Sequence, residues 1–164
     1  ISEANTMMIE KGYKVGWVET EGWWKDTGKP EDLLEANQLI MGSFRFEDNR
    51  NGATIGARVV IQGKIQIGHN TVLDENVLVR GPVIIGDDCT IKNSYIGPYT
   101  AIGNGVEIYN TEIENSIVFD AVDINASTRI VDSILGYNAT ITAAHATLPL
   151  GHKLIIGDQS TVEI

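Results

Sequence analysis

IGARVVIQGKIQIGHNTVLDENVLVRGPVIIGDDCTIKNSYIGPYTAIG, residues 55–103, decides the fold. Ile55, Ile61, Ile67, Leu73, Val79, Ile85 and Ile91 stand six apart without a slip. The beat shortens by one residue to Ile96 and continues through Ile102 and Ile108. It then steps through Ile113, Val118, Ile124, Ile130, Leu135 and Ile141. A period of six matches neither the 3.6 of a helix nor the 2 of an alternating strand. It matches the hexapeptide repeat of a parallel β-helix, in which each hexad supplies one short strand and one corner. Three hexads close one triangular coil, equivalent residues stack at about 4.8 Å, and stability comes from burial between neighbouring coils.

Four residues after most beats comes a second, mostly small or β-branched residue: Val59, Ile65, Thr71, Val77, Val83, Cys89, Thr100, Val106, Val122, Thr128 and Ala139. These are expected to face inward with the first set. A further pattern overlays the hexads in Asn93-Ser94, Asn110-Thr111, Asn115-Ser116 and Asp132-Ser133. Asn93 to Asn110 and Asn115 to Asp132 are both one coil less a residue, so the short steps read as a regular turn variant. Asn, Asp and Ser bond readily to nearby backbone, which predicts corner geometry and stacked side-chain hydrogen bonds here.

The 164 residues suffice for one domain and part of a second, and the net charge of −10 argues against binding to a nucleic-acid backbone. No apolar run has the length of a membrane span and no secretory leader is visible, so a cytoplasmic protein is expected. A single cysteine, Cys89, excludes an internal disulfide and is explained by packing in its small inward slot. The first residue is Ile1 and not Met, which suggests a piece of a longer protein.

Ahead of the repeats, Ile1–Lys11 reads as a helix that Ser2 can cap and Gly12 can close. Tyr13–Glu19 alternates like a strand, with Tyr13, Val15 and Trp17 on one face. A polar aromatic loop follows. Pro30 then opens a second helix, with Glu31 and Asp32 at its N-terminus, Leu33, Leu34, Asn37 and Ile40 at helical spacing, and Gly42 to end it. Residues 1–42 thus form an α/β piece, 43–52 a linker and 53–164 the β-helix with its tail. The first piece is too small to bury its own core. Either it packs on the β-helix or its proper partner is a domain outside this chain, and the sequence favours the second. Past Ile141, residues 142–153 read as irregular, Leu154–Ser160 restores a hexad, and 162–164 can finish as a strand.

The loop carries the chemistry. GWWKDTGKPEDLLEAN (22–37), with GYKV (12–15) before it, NSYIGPYTAIGNG (93–105) in the repeats and IGDQSTVEI (156–164) at the close, resembles the end of the catalytic domain of sugar-1-phosphate nucleotidyltransferases. The likeness is greatest to the long glucose-1-phosphate thymidylyltransferases, which carry a left-handed β-helix after that domain. The resemblance implies a mostly β chain: a left-handed parallel β-helix of hexapeptide repeats behind a short α/β remnant of a nucleotidyltransferase domain. It implies that Asp26 helps hold a Mg²⁺ ion while a sugar 1-phosphate attacks a nucleoside triphosphate. Such an ion suits a reaction that concentrates negative charge. The other reading of Asp26, and the less favoured, is an Asx-type turn before Thr27-Gly28. By the same resemblance Trp24 walls the sugar pocket, with plain packing as its other reading. Lys25 reads as a solvated charge, and Thr27 and Gly28 as shaping the loop. The family's Gly-x-Gly-Thr-Arg nucleotide loop, its second metal Asp and its phosphate-clamping Lys and Arg have no counterpart here; Gly103-Asn104-Gly105 is a coil corner. This chain alone is therefore expected to be inactive.

Hexapeptide β-helices also form acetyl-CoA-dependent acyltransferases, in which a His between trimer subunits acts as general base. The candidates are His145 and His152 in the irregular tail, with His69 at a solvated corner. A third reading is a structural or regulatory module. Flat faces with outward Val60, Leu78 and Phe119 invite self-association, with a homotrimer as the first expectation.

Overall fold

A computed structural model describes residues 2–22, 24–47 and 52–143. It is a parallel β-solenoid of about five coils preceded by two short helices, α1 (Ser2–Glu10) and α2 (Pro30–Ser43). The sixteen strands fall on three sheets. The first stacks β1 (Thr54–Ile55), β4 (Val72–Asp74), β7 (Thr90–Lys92), β10 (Glu107–Tyr109), β13 (Asp123–Asn125) and β16 (Thr140–Thr142). The second stacks β2 (Val60–Gln62), β5 (Leu78–Arg80), β8 (Tyr95–Ile96), β11 (Glu112–Glu114) and β14 (Arg129–Val131). The third stacks β3 (Ile65–Ile67), β6 (Val83–Ile85), β9 (Thr100–Ile102), β12 (Ile117–Val118) and β15 (Ile134–Leu135).

All sixteen residues of the beat lie in the core or pack against it. Each sheet contributes one column, such as Leu73-Ile91-Ile108-Ile124, and these four are fully buried. Each such side chain contributes about 1.5–3 kcal/mol by leaving water. The predicted shortening of the coils is visible in the register. Val72 pairs with Thr90 eighteen residues on, Thr90 with Glu107 seventeen on, and Glu107 with Asp123 sixteen on. The core absorbs these deletions because they fall at corners and leave every inward residue facing inward.

The Asn/Ser corners behave as their chemistry predicts. Asn93, Asn110, Asn115 and Asp132 all hold positive φ, between 46° and 53°. The hydroxyl behind each donates to a carbonyl two residues back: Ser94 to Lys92, Thr111 to Tyr109, Ser116 to Glu114 and Ser133 to Val131. Three of these oxygens also accept an N–H from the next coil, so that Ser94 receives Thr111, Thr111 receives Ala126 and Ser116 receives Ser133. Side-chain hydrogen bonds thus join coils where no strand does. At another corner the Asp87, Asn104 and Asp120 carboxylate or amide oxygens accept the backbone N–H groups of His69, Asp87 and Asn104. Cys89 is fully buried, its thiol directed at the Gly103 carbonyl 3.1 Å away, and burial raises its pKa.

Four expectations need correction. Thr128 is exposed, and Ala126 occupies the inward position at that corner, because the chain there runs one residue longer than at Asn110-Thr111. Tyr13–Glu19 forms no strand and is exposed throughout, since an isolated strand has no partner for its backbone. Ser2 is the first helical residue of α1 rather than its cap; Gly12 does close that helix, at φ +80° with its N–H on the Ile9 carbonyl. Gly42 lies inside α2, which runs on to Ser43, whose hydroxyl bonds back to the Leu39 and Ile40 carbonyls.

The two helices differ in their partners. α1 buries nothing. α2 buries Leu34, Ala36 and Met41 and donates side-chain hydrogen bonds from Asn37 to the Tyr99 carbonyl (2.8 Å) and from Gln38 to Asn115 Oδ1 (2.7 Å). Tyr99 and Asn115 sit at corners joining the second sheet to the third, so α2 is seated on that edge of the prism. No helix among the described residues is long and apolar enough to cross a membrane.

Candidate functional site

The loop before α2 is tied to the helix it precedes. The Lys25 ammonium lies 3.1 Å from Asp32 Oδ1 and 2.5 Å from Glu35 Oε2, so it is not the free solvated charge its sequence context suggests. Asp32 in turn accepts the Lys29 N–H through Oδ2 (3.0 Å), and its own N–H donates to the Lys29 carbonyl (3.1 Å). One carboxylate therefore both caps the helix start and anchors the loop, where the helix dipole also favours negative charge. The hydrogen bonds to Glu35 and Asp32 raise the Lys25 pKa. The Lys25 hydrogen bond, with help from the Lys29 N–H, holds the Asp32 carboxyl below the usual carboxylate range against the opposing effect of burial.

Asp26, next to Lys25, is exposed, and its carboxylate takes no hydrogen bond or ion pair among the described residues. It is free to act as a ligand. A Mg²⁺ ion is commonly held by one or two carboxylates with water and phosphate oxygens, so a single unengaged carboxylate fits one share of such a site. No group of three or more His, Cys, Asp or Glu able to hold a metal exists among the described residues, so the other ligands would come from elsewhere. Trp24 is 77 % exposed, and Thr27 and Gly28 are exposed beside it.

His69 sits exposed at a corner with its backbone N–H on Asp87, as its outward slot implies. His145 and His152 lie outside the described residues, as does the rest of the tail from residue 144.

Hexad counting did not reveal the helix seat. Asn37, Gln38 and Met41 of α2 meet Tyr99, Asn115 and the glycine corner of Gly63 and Gly81; Met41, Tyr99 and those glycines line one shallow groove. One sequence signal was present. Tyr99 occupies the positive-φ slot that Asn115 and Asp132 fill in the next two coils, at φ 58°, where a bulky residue is unusual. Its carbonyl is the acceptor for Asn37. Gln38 extends the ladder in which Asn115 Nδ2 donates to Asp132 Oδ1 at 2.6 Å.

Residues 79–163 match the model of the GMPPB C-terminal domain. The low-salt glycan biosynthesis nucleotidyltransferase Agl11 of Haloferax volcanii is 40 % identical across the whole chain, which covers 45 % of that protein. A glucose-1-phosphate thymidylyltransferase of Streptomyces antibioticus is 34 % identical across the whole chain, again 45 % of its length. The bifunctional protein GlmU of Lactobacillus delbrueckii subsp. bulgaricus is 27 % identical over 79 % of the chain and 29 % of its own length. The chain thus spans less than half the length of these relatives. It belongs to the GMPPB C-terminal domain family, the β-helix part of sugar-1-phosphate nucleotidyltransferases, and is homologous over its whole length to glucose-1-phosphate thymidylyltransferases.

Proposed function

We propose that this chain is the C-terminal portion of an enzyme that makes nucleotide sugars, with glucose 1-phosphate and dTTP as the favoured pair. In that reaction a sugar-phosphate oxygen attacks the α-phosphorus of the triphosphate, the bond to the bridging oxygen breaks, and pyrophosphate leaves. The carrying observation is that similarity to a thymidylyltransferase runs through the loop and α2 as well as the repeats. Hexads alone would not distinguish this enzyme from others built on the same coil. Asp26 would be one Mg²⁺ ligand, and the ion, when bound, draws negative charge from the reacting phosphates. The exposed apolar residues of α1 and of residues 13–22, together with Trp24, are the surface through which this chain would meet the rest of the enzyme.

On this reading the chain alone transfers nothing, because it holds no nucleotide loop. Its solenoid serves assembly. Val60 is half exposed on the second sheet, and Ile84, Ala101, Ile117 and Ile134 form an aligned outward column on the third. Such flat apolar faces suit closed self-association, with a trimer expected.

Pyrophosphate release from dTTP or UTP with glucose 1-phosphate and Mg²⁺ tests the activity. The complete protein should turn over and the purified chain should stay at background. Turnover by the chain alone contradicts its inactivity; none by the complete protein with any nucleotide contradicts the enzymatic reading. Light scattering that gives a monomer at micromolar concentration removes the trimer.

A further inference from the structure

The loop, α2 and the solenoid are connected by an unbroken series of direct contacts. Lys25, adjacent to Asp26, grips Asp32 and Glu35 in the first turns of α2. One turn further on, Asn37 and Gln38 bond to Tyr99 and Asn115, and Asn115 bonds to Asp132 of the following coil. Met41, 2 % exposed, closes the seat. The remaining loop carboxylate, Asp26, is left outside this network. Lys25 is paired with Asp32 and Glu35, whereas the adjacent Asp26 carboxylate is exposed.

We propose that Lys25 is a positioning residue and that the solenoid, acting through α2, fixes where Asp26 stands. This rests on the reading of Asp26 as a Mg²⁺ ligand given above. The coil would then contribute to catalysis by geometry, without touching substrate. Among the described residues of the loop between an exposed segment and the helix (22 and 24–29), Trp24, Thr27 and Gly28 are exposed, and only Lys25 and Lys29 bond into α2. Lys25 is suited to the role because its flexible stem lets one ammonium serve two carboxylates three residues apart on the helix face. Asn37 and Gln38 supply the complementary half, since their amides tie α2 to Tyr99 and Asn115, whose other hydrogen bonds run to neighbouring coils.

The test uses the complete protein carrying Lys25→Met, Lys25→Arg or the pair Asn37→Ala/Gln38→Ala. The readouts are the Mg²⁺ concentration for half-maximal rate, the KM for nucleotide, and amide hydrogen exchange of residues 24–29. Lys25→Met and the Asn37/Gln38 pair are expected to raise the Mg²⁺ requirement about three- to tenfold, the scale of lost outer contacts to a metal ligand that are partly exposed. Nucleotide KM should change less than about twofold and exchange should quicken by a similar three- to tenfold factor. Lys25→Arg should recover most of both. An unchanged exchange rate, or faster exchange with an unchanged Mg²⁺ requirement, overturns the proposal while the enzymatic reading stands. A wild-type complete protein that releases no pyrophosphate overturns the enzymatic reading and the positioning role together.

Discussion

The solenoid and the segment from Ser2 to Trp24 are both rich in apolar residues, and they use them in opposite ways. Leu73, Ile91, Ile108 and Ile124 are wholly buried, each against its counterpart one coil away. Trp17 and Val18 are 85 % and 88 % exposed, and α1 leaves Met7 and Met8 in water. The solenoid completes itself because every coil is the partner of the next. The N-terminal segment has a buried-type sequence with no partner among the described residues. α2 lies between the two cases: one face is seated on the coil, while Leu33, Leu39 and Ile40 remain exposed. A sequence that encodes burial without achieving it points to a surface meant for something else.

The largest effect that would sharpen this contrast is in the core. Ile108→Ala should cost about 2–5 kcal/mol of unfolding free energy by leaving a cavity between stacked coils. Trp17→Ala should change it by less than about 0.5 kcal/mol, as expected for an exposed side chain. Urea unfolding of both variants in this chain checks the pair. Equal losses would mean that the N-terminal segment is packed after all.

Close approach between coils sets the next effect. A Cβ at Gly68 would fall 2.2 Å from Asp87 Oδ1 and 2.4 Å from the Gly86 carbonyl carbon, whereas one at Gly136 meets nothing within 4 Å. Gly68→Ala is therefore expected to destabilise by about 1–3 kcal/mol through forced displacement of the neighbouring coil. Gly136→Ala should be near neutral. Thermal melts of the two variants separate crowding from any general need for glycine.

How much of this was legible follows from what repetition can encode. A hexad states which side chain points inward, so all sixteen beat residues and the Asn/Ser corners could be read directly. Repetition says nothing about what lies against the outside of the coil. Lys25 looked solvated because its two carboxylate partners stand seven and ten residues on, at a distance that only the turn into α2 makes short. The seat of α2 was hidden for a related reason, since Asn37 and Gln38 bond to residues more than sixty positions away. Only Tyr99, in a slot that its neighbours fill with Asn and Asp, betrayed a foreign contact. The alternation of Tyr13–Glu19 misled because it records a burial pattern and not the presence of a partner strand.

Polar stacking gives smaller effects. Ser116→Ala should cost about 1–2 kcal/mol, since it removes a donor to Glu114 and the acceptor for the half-buried Ser133 N–H. Thr100→Val should be neutral or stabilising by up to about 1 kcal/mol, because the Thr100 hydroxyl is buried without a partner. Matching losses in the two variants would contradict the hydrogen-bond ladder as the source of corner stability.

The smallest effect is in the loop. Asp32 has a folded pKa below its unfolded value, so its contribution is present above the ordinary carboxylate range and is lost as pH falls through the depressed value. Amide exchange of residues 24–29, corrected for intrinsic rates, should hold steady from neutrality down to about pH 4 and quicken only below it. Loss of protection already at pH 6 would show that another group holds the loop.

Amide hydrogen exchange measured side by side on this chain and on the complete protein tests the central claim most directly. The account predicts slow exchange through residues 60–135 in both, and fast exchange of residues 7–22 in the isolated chain that slows by at least about a hundredfold in the complete protein. Strong protection of residues 7–22 in the isolated chain, or none in the complete protein, would contradict it.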